Sequence, residues 1–281
     1  MVLYKPTSSH LEKDKLDRFY TKPSVVDKLL KEMVIEDYDV VVEPSAGTGS
    51  WSSKIEDCLA IDIAPEHPDI QKGDFLKDDF LFDEMKKENS ILVIGNPPFG
   101  RIGNQALKFI NKASEFADTI AFILPRSFRK ESLQRKVNKN FWIEKDIDLF
   151  DKNNPSFIFK GEDYFAPCVF QVWERRNEER DVSVKKIDPI GFEYVKKENA
   201  NLVVRRVGGK AGTAYKDKIE ERSIPPNYFL WVDDVDKIAD AINNHPFNIY
   251  DTVGPDSLTK GELTSFINRT IKNDNENTSL L

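Results

Sequence analysis

The sequence predicts an α/β protein in which residues 1–180 form a doubly wound parallel sheet and residues 181–281 a smaller second module. Three observations predict it. Short apolar runs alternate with segments of helical period between residues 23 and 173. The runs end in loops carrying Gly, Asp, Asn or Pro, which is where open sheets of this kind bind ligands. After Arg180 the pattern changes to short charged strands interrupted by Gly208-Gly209 and Pro225-Pro226.

Length and composition agree with this reading. A chain of 281 residues that is 40% hydrophobic and 32% charged can bury a sizeable core, which excludes a disordered protein. No apolar run approaches the roughly 20 residues of a membrane helix, and the first residues lack the apolar core of a signal peptide, so a cytoplasmic protein is expected. Cys58 and Cys168 are too few for a disulfide scaffold. With His10, His67 and His245 they offer no zinc-ligand spacing, and no metal is expected.

The elements follow in order. The first fifteen or so residues are polar and read as a loosely held arm. Pro23 opens a helix whose apolar face is Val25, Val26, Leu29, Leu30 and Met33. Asp39–Glu43 is a buried strand, Trp51–Ile55 reads as a helix and Leu59–Ile63 as a second strand. Ser90–Gly95 and Thr119–Leu124 are further strands, stopped by Asn96-Pro97-Pro98-Phe99 and by Pro125, with a helix over Asn104–Phe116 between them. Val169–Trp173 is a late strand, read as a hairpin with Ser156–Phe159. The tail from Lys272 to Leu281 is polar and expected to fray.

Two loops carry chemistry. In Glu43-Pro44-Ser45-Ala46-Gly47-Thr48-Gly49 the glycines let backbone approach a ligand closely, although tight-turn glycine is the commoner use of such a pair. The three-glycine dinucleotide pattern is absent, and no Gly-Lys-Ser/Thr follows, which excludes a P-loop. Glu43 suits a cationic group such as an ammonium. Asp62, 19 residues after Glu43 at the start of the loop, suits a ribose diol. The Asn96–Phe99 loop is the sharper signal. Its prolines fix the backbone and end the ladder, leaving an amide, carbonyls without competing N–H groups and an aromatic ring. The Asn96 side-chain oxygen and the Pro97 carbonyl can each accept one hydrogen of an exocyclic amine, while Phe99 stacks on a flat base.

The net charge of −7 hides local basic stretches. Residues 101–150 carry 10 basic and 6 acidic side chains, concentrated over Arg126–Lys139, and a second cluster spans Arg205–Lys218. Such runs are usually solvated faces. They are also what phosphate contacts require, which makes Arg126, Arg129, Lys130, Arg205, Arg206, Lys210 and Lys216 the candidates for holding nucleic acid.

These motifs together resemble the S-adenosylmethionine-dependent N6-adenine methyltransferases, in the γ order of the DNA amino-methyltransferases, over about residues 16–175. The resemblance implies a Rossmann-like methyltransferase sheet with a C-terminal target-recognition module. It implies S-adenosylmethionine as cofactor, held by Tyr20 and Thr21 of the Arg18–Pro23 segment, by Glu43, Pro44, Ala46, Gly47 and Gly49, by Asp62, and by Asp74 and Phe75 of Gly73–Leu76. Asn96, Pro97 and Phe99 are implied as catalytic, with double-stranded DNA as the partner and restriction–modification as the setting. A second aromatic is implied opposite Phe99; Phe159 is the first choice and Phe157 the second, with core packing the alternative for either. RNA adenine and protein glutamine amide methyltransferases use the same or a related tetrapeptide, so those substrates stay open. Composition leans to Lys, Asn and Ile, as in bacterial or viral AT-rich genomes.

Overall fold

A computed structural model describes residues 19–78, 89–149, 151, 154–183, 186–247 and 256–278. The polar arm, Arg18 and the last three residues lie outside them. The chain divides into two compact units, Met1–Asp181 and Val182–Leu281.

The first unit is built on a seven-stranded mixed sheet of doubly wound, Rossmann-like form. Its strands are β2 (Val40–Glu43), β3 (Leu59–Asp62), β4 (Gln71–Lys72), β5 (Ile91–Gly95), β6 (Thr119–Pro125), β7 (Phe141–Asp148) and β10 (Cys168–Arg175). Their order is β4-β3-β2-β5-β6-β10-β7. From β4 to β6 every pairing is parallel. All residues of β5 and β6 are buried, because a parallel strand covered on both faces must be apolar throughout. The sheet is mixed rather than purely parallel, since β10 enters antiparallel between β6 and β7. The strand order reverses between neighbours β2 and β5, so the glycine loop and the Asn96 loop leave adjacent strands at the switch point.

Each face of the sheet has its own core. Helix α1 (Pro23–Leu30) lays Val25, Val26 and Leu29 on one face, beside Trp51, Leu92 and Phe170. Helix α2 (Asn104–Ala113) lays Ala106, Phe109, Ile110 and Ala113 on the other, beside Val93, Phe122 and Trp173. These residues recur at three- and four-residue spacing, as an amphipathic helix requires. A short helix α3 (Glu131–Gln134) follows β6.

Two expectations are corrected. The Trp51–Ile55 helix is a single 3-10 turn, Ser52–Lys54, because Asp57 at φ 54° turns the chain directly into β3. Strand β8 (Phe157–Phe159) pairs with β9 (Glu162–Tyr164) and with β1 (Tyr20–Thr21), making a separate three-stranded sheet instead of a hairpin with β10. Strand β7 has no counterpart in the sequence reading.

The second unit is a four-stranded antiparallel sheet, β11 (Phe192–Tyr194), β12 (Leu202–Arg205), β13 (Ala214–Tyr215) and β14 (Asn227–Val232), in the order β11-β14-β12-β13. Helices α4 (Val235–Asn244) and α5 (Lys260–Thr278) supply Ile238, Ile242, Leu263 and Ile267 to a core with Leu202, Val204, Leu230 and Val232. The Asp234 side chain caps α4 by accepting from Lys237 N–H at 3.1 Å. Helical backbone continues to Thr278, into the segment read from sequence as a frayed tail. Among the described residues no helix is long and apolar enough to cross a membrane.

Phe170 is fully buried and stacks on Trp51 with ring centroids 5.9 Å apart. Phe170→Ala is expected to lower stability by about 3–5 kcal/mol, read as a reduced midpoint of urea unfolding.

Candidate active site

A cleft of about 590 Å³ opens at the carboxyl ends of β2, β3 and β5. That volume suits a ligand the size of a nucleoside derivative. Tyr20, Thr21, Glu43, Pro44, Ala46, Gly47, Asp62, Asp74, Phe75, Asn96, Pro97 and Phe99 all line it. Two expected residues do not: Gly49 and Phe159.

The glycine loop is held from below by acids. Asp62 accepts from Gly47 N–H at 2.8 Å and from Ala64 N–H at 2.7 Å, which fixes the loop against the end of β3. A carboxylate accepts about four hydrogen bonds, so Asp62 retains capacity for a ligand. Gly47 has φ +55°, which favours glycine, and a Cβ there would press on the Tyr20 ring at 3.2 Å. Gly49, at φ +82°, donates to the Ala46 carbonyl at 2.7 Å; it shapes the turn without facing the cleft. Glu43 is 1% exposed and accepts from Ser52 N–H at 2.8 Å. Burial pushes its carboxyl up to about 7 despite that hydrogen bond.

The Asn96 loop is tied to both neighbours. Asn96 Nδ2 donates to the Phe19 carbonyl at 2.8 Å, and Ser45 Oγ donates to the Asn96 carbonyl at 3.2 Å. The Phe19 oxygen can only accept, so the amide nitrogen must face it and the side-chain oxygen lies on the other branch of the amide. The Phe99 carbonyl accepts from Gln105 N–H at 3.1 Å and from Ala106 N–H at 3.4 Å, satisfying the first turn of α2. The Phe99 ring is half-buried between the two cores of the sheet.

At the far end of the cleft, Asp74 accepts from Leu76 N–H at 3.1 Å and pairs with Lys77 at 2.8 Å. The hydrogen bond from Lys77 draws its carboxyl below the usual range. The Phe75 ring is buried, stacked on Phe109 at 5.5 Å.

Thr21 is buried at the wall of the cleft, and among the described residues its hydroxyl has no partner. An orphaned buried hydroxyl, three carboxyl groups (Glu43, Asp62 and Asp74) and a glycine turn on one cleft are the donor and acceptor set that an amino-acid-bearing nucleoside needs.

Phe159 is 7% exposed; its ring stacks on Phe19 at 4.8 Å and lies 5.7 Å from Tyr164. It supports the segment that carries the Asn96 acceptor, and it is not among the residues that line the cleft. Phe157, the second choice, is fully buried.

The basic stretches are largely self-paired. Arg126 bonds Asp148, and Arg129 bonds Asp146 and Asp148, with Nε 2.8 Å from Asp146 and Nη1 3.0 Å from Asp148. The reason is register: the acids stand on β7, 17 to 22 residues on, where a local charge count does not see them. Lys130 is half-buried and likewise engaged. In the second unit Lys216 pairs with Asp236 at 2.6 Å, Arg205 Nε donates to the Val207 carbonyl at 2.8 Å, and Arg206 lies over the Tyr228 ring. Lys210 is exposed. Gln105, Lys108 and Phe109 also line the cleft and were not singled out. Their i, i+3, i+4 spacing on α2, directly after the Asn96 loop, was the available signal.

No protein-family model matches the chain, and no curated protein matches it significantly. Solved structures do. A Pyrococcus horikoshii protein provisionally described as an RNA methyltransferase is 17% identical, with a TM-score of 0.43 over 57% of this chain and 87% of its own. A Vibrio vulnificus YJ016 protein, provisionally described as a modification subunit of a type I restriction enzyme, is 16% identical, with a TM-score of 0.41 over 57% of this chain and 45% of its own. A third, from Thermoplasma acidophilum, is 17% identical, with a TM-score of 0.38 over 55% of this chain and 90% of its own.

Glu43 yields a stability prediction. Folded, it keeps its proton up to about 7; unfolded, it loses the proton near 4.5. The folded chain therefore binds more protons in that interval, and stability falls as pH rises through it. Glu43→Gln should flatten this part of the profile, measured as urea midpoints between pH 5 and pH 8.

Proposed function

We propose that the chain is an S-adenosylmethionine-dependent methyltransferase acting on the N6 amine of adenine in duplex DNA. The observation that carries this reading is the Asn96–Phe99 loop, whose asparagine is fixed through Nδ2 to the Phe19 carbonyl beside the acid-lined glycine turn. When bound, the cofactor supplies an electrophilic methyl group on a sulfonium.

The residues of the chain divide the remaining work. Glu43 and Thr21, with Tyr20, Pro44, Ala46 and Gly47, would hold the amino-acid end of the cofactor. Asp62 would take the ribose diol, and Asp74 with Phe75 the adenine. The lone pair of a substrate N6 amine is delocalised into the ring, which makes it a poor nucleophile. Asn96 Oδ1 and the Pro97 carbonyl accept its two hydrogens and favour a pyramidal nitrogen with its lone pair exposed. Because Nδ2 is already committed to Phe19, that acceptor geometry is organised before substrate arrives. Phe99 stacks on the base, a contact worth about 1–3 kcal/mol. The base must leave the helical stack to reach the loop.

The second unit is proposed as the target-recognition region. With Arg126 and Arg129 committed to Asp146 and Asp148, the exposed Lys210 is the first candidate of the second unit for phosphate contact. Lys210→Ala should then lower the log–log salt slope of DNA binding by about one. Arg129→Ala should leave that slope unchanged.

The reaction is tested by incubating the chain with labelled S-adenosylmethionine and unmethylated duplex DNA, single-stranded DNA or RNA, followed by nucleoside analysis. The expected product is N6-methyladenine in duplex DNA. Asn96→Ala should abolish it while calorimetry still records cofactor binding, and Asp62→Ala should weaken that binding. Label in RNA alone would move the substrate to RNA. Absence of both transfer and cofactor binding would overturn the proposal.

A further inference from the structure

Ile102 follows the Asn96–Phe99 loop by three residues and combines two unfavourable features. Its backbone is left-handed, φ 57° and ψ 31°, where a β-branched residue is a genuine outlier. Its side chain is 60% exposed. Glycine or asparagine would relieve the first feature, and any polar residue the second.

The glycines on either side of it are closely packed. Gly100 is at φ +64°, and a Cβ there would lie 2.7 Å from Gln105 Cβ. Gly103 is at φ +74°, and a Cβ there would lie 3.2 Å from the Phe128 ring. The Phe99 carbonyl closes the loop by accepting from the Gln105 and Ala106 N–H groups. Gly100 and Gln105, on either side of Ile102 in sequence, line the cleft, which brings the backbone of this loop beside the opening. Its neighbour Arg101 is exposed, and so is Lys108, which lines the same cleft.

Strain and apolar exposure in one residue, in the loop that follows the proposed base site and on a segment carrying two exposed cations, fit an apolar surface that becomes available only when a polyanion opens. We infer that Ile102 is a wedge that enters the base stack of duplex DNA where the target adenine leaves it, with Arg101 and Lys108 meeting the flanking phosphates. This rests on the reading that the substrate is a base in a duplex. The wedge holds the gap open, so extrusion of the base and occupation of its place are one event.

The test measures binding of the full chain to two short duplexes of mixed sequence, one intact and one carrying a single abasic site. The wild type should prefer the abasic duplex by roughly ten-fold, because the unstacking is already done. Ile102→Leu should keep the preference. Ile102→Gly and Ile102→Asn should lose it, with thermal midpoints at or above that of the wild type, since both residues accept a positive φ. Equal preference in the wild type and Ile102→Gly, or no binding to either duplex, would overturn the inference. Methyl transfer separates it from the reading beneath it. Unchanged formation of N6-methyladenine by Ile102→Gly would sink the wedge and leave the reaction standing. A wild-type preference lost in Ile102→Gly, without methyl transfer, would do the reverse.

Discussion

The hydrogen bond from Asn96 Nδ2 to the Phe19 carbonyl is the constraint on which the arrangement of the cleft depends. An amide side chain has two ends of opposite hydrogen-bonding sense, and fixing the donor end fixes the acceptor end as well. The acceptor that does this comes from outside the central sheet. Phe19 leads into β1, which reaches its place by pairing with β8, and its ring is stacked on Phe159 and tilted against Tyr164. Lys22 adds a backbone bond to Ser156 at 3.0 Å and an ion pair with Asp163 at 2.6 Å. The three-stranded sheet, which holds no residue of either loop, is therefore part of what orients the asparagine.

Electrostatics around the sheet follow from the same economy of contacts. Asp146 takes Arg129 on one side and the Nε2 of Gln171 at 2.8 Å on the other, and Gln171 in turn accepts from Trp173 Nε1 at 3.2 Å. The fully buried Gln171 is thereby satisfied at both ends of its amide, as a polar group in a sheet core must be. The outer strand that carries these acids is partly exposed and charged over Glu144–Asp148, a composition that discourages pairing with another chain.

The parts legible in the sequence are those set by local composition. Strands β2, β3, β5 and β6 are short apolar runs bounded by Pro, Gly or Asp, and α1 and α2 show unbroken helical periodicity. What was not legible depends on partners distant in sequence. Phe-Trp-Ile-Glu-Lys-Asp-Ile-Asp is too charged to announce a strand, and becomes β7 because β10 offers it an edge. Phe159 has the aromatic character expected of a base-stacking residue, but the neighbour it finds is Phe19. Arg126 and Arg129 sit in a basic run, and only the pairing of β7 with β10 brings acids to them. Glu43, Asp62 and the Asn96 loop could be read early because strand ends at a switch point have nowhere else to project.

The pairing of Tyr20 with Ile158 also has a temporal side. The segment carrying Phe19 leaves the ribosome long before the strand that receives it. At roughly 5–20 residues per second the delay between the two is on the order of 7 to 28 seconds. Until then the first strand has no ladder partner and the asparagine has no fixed acceptor, even though β2, β3, β5 and β6 have all been made. A growing chain can thus complete most of its sheet while its cleft is still unassembled, and the site matures only when the β8–β9 hairpin closes over the start of the chain.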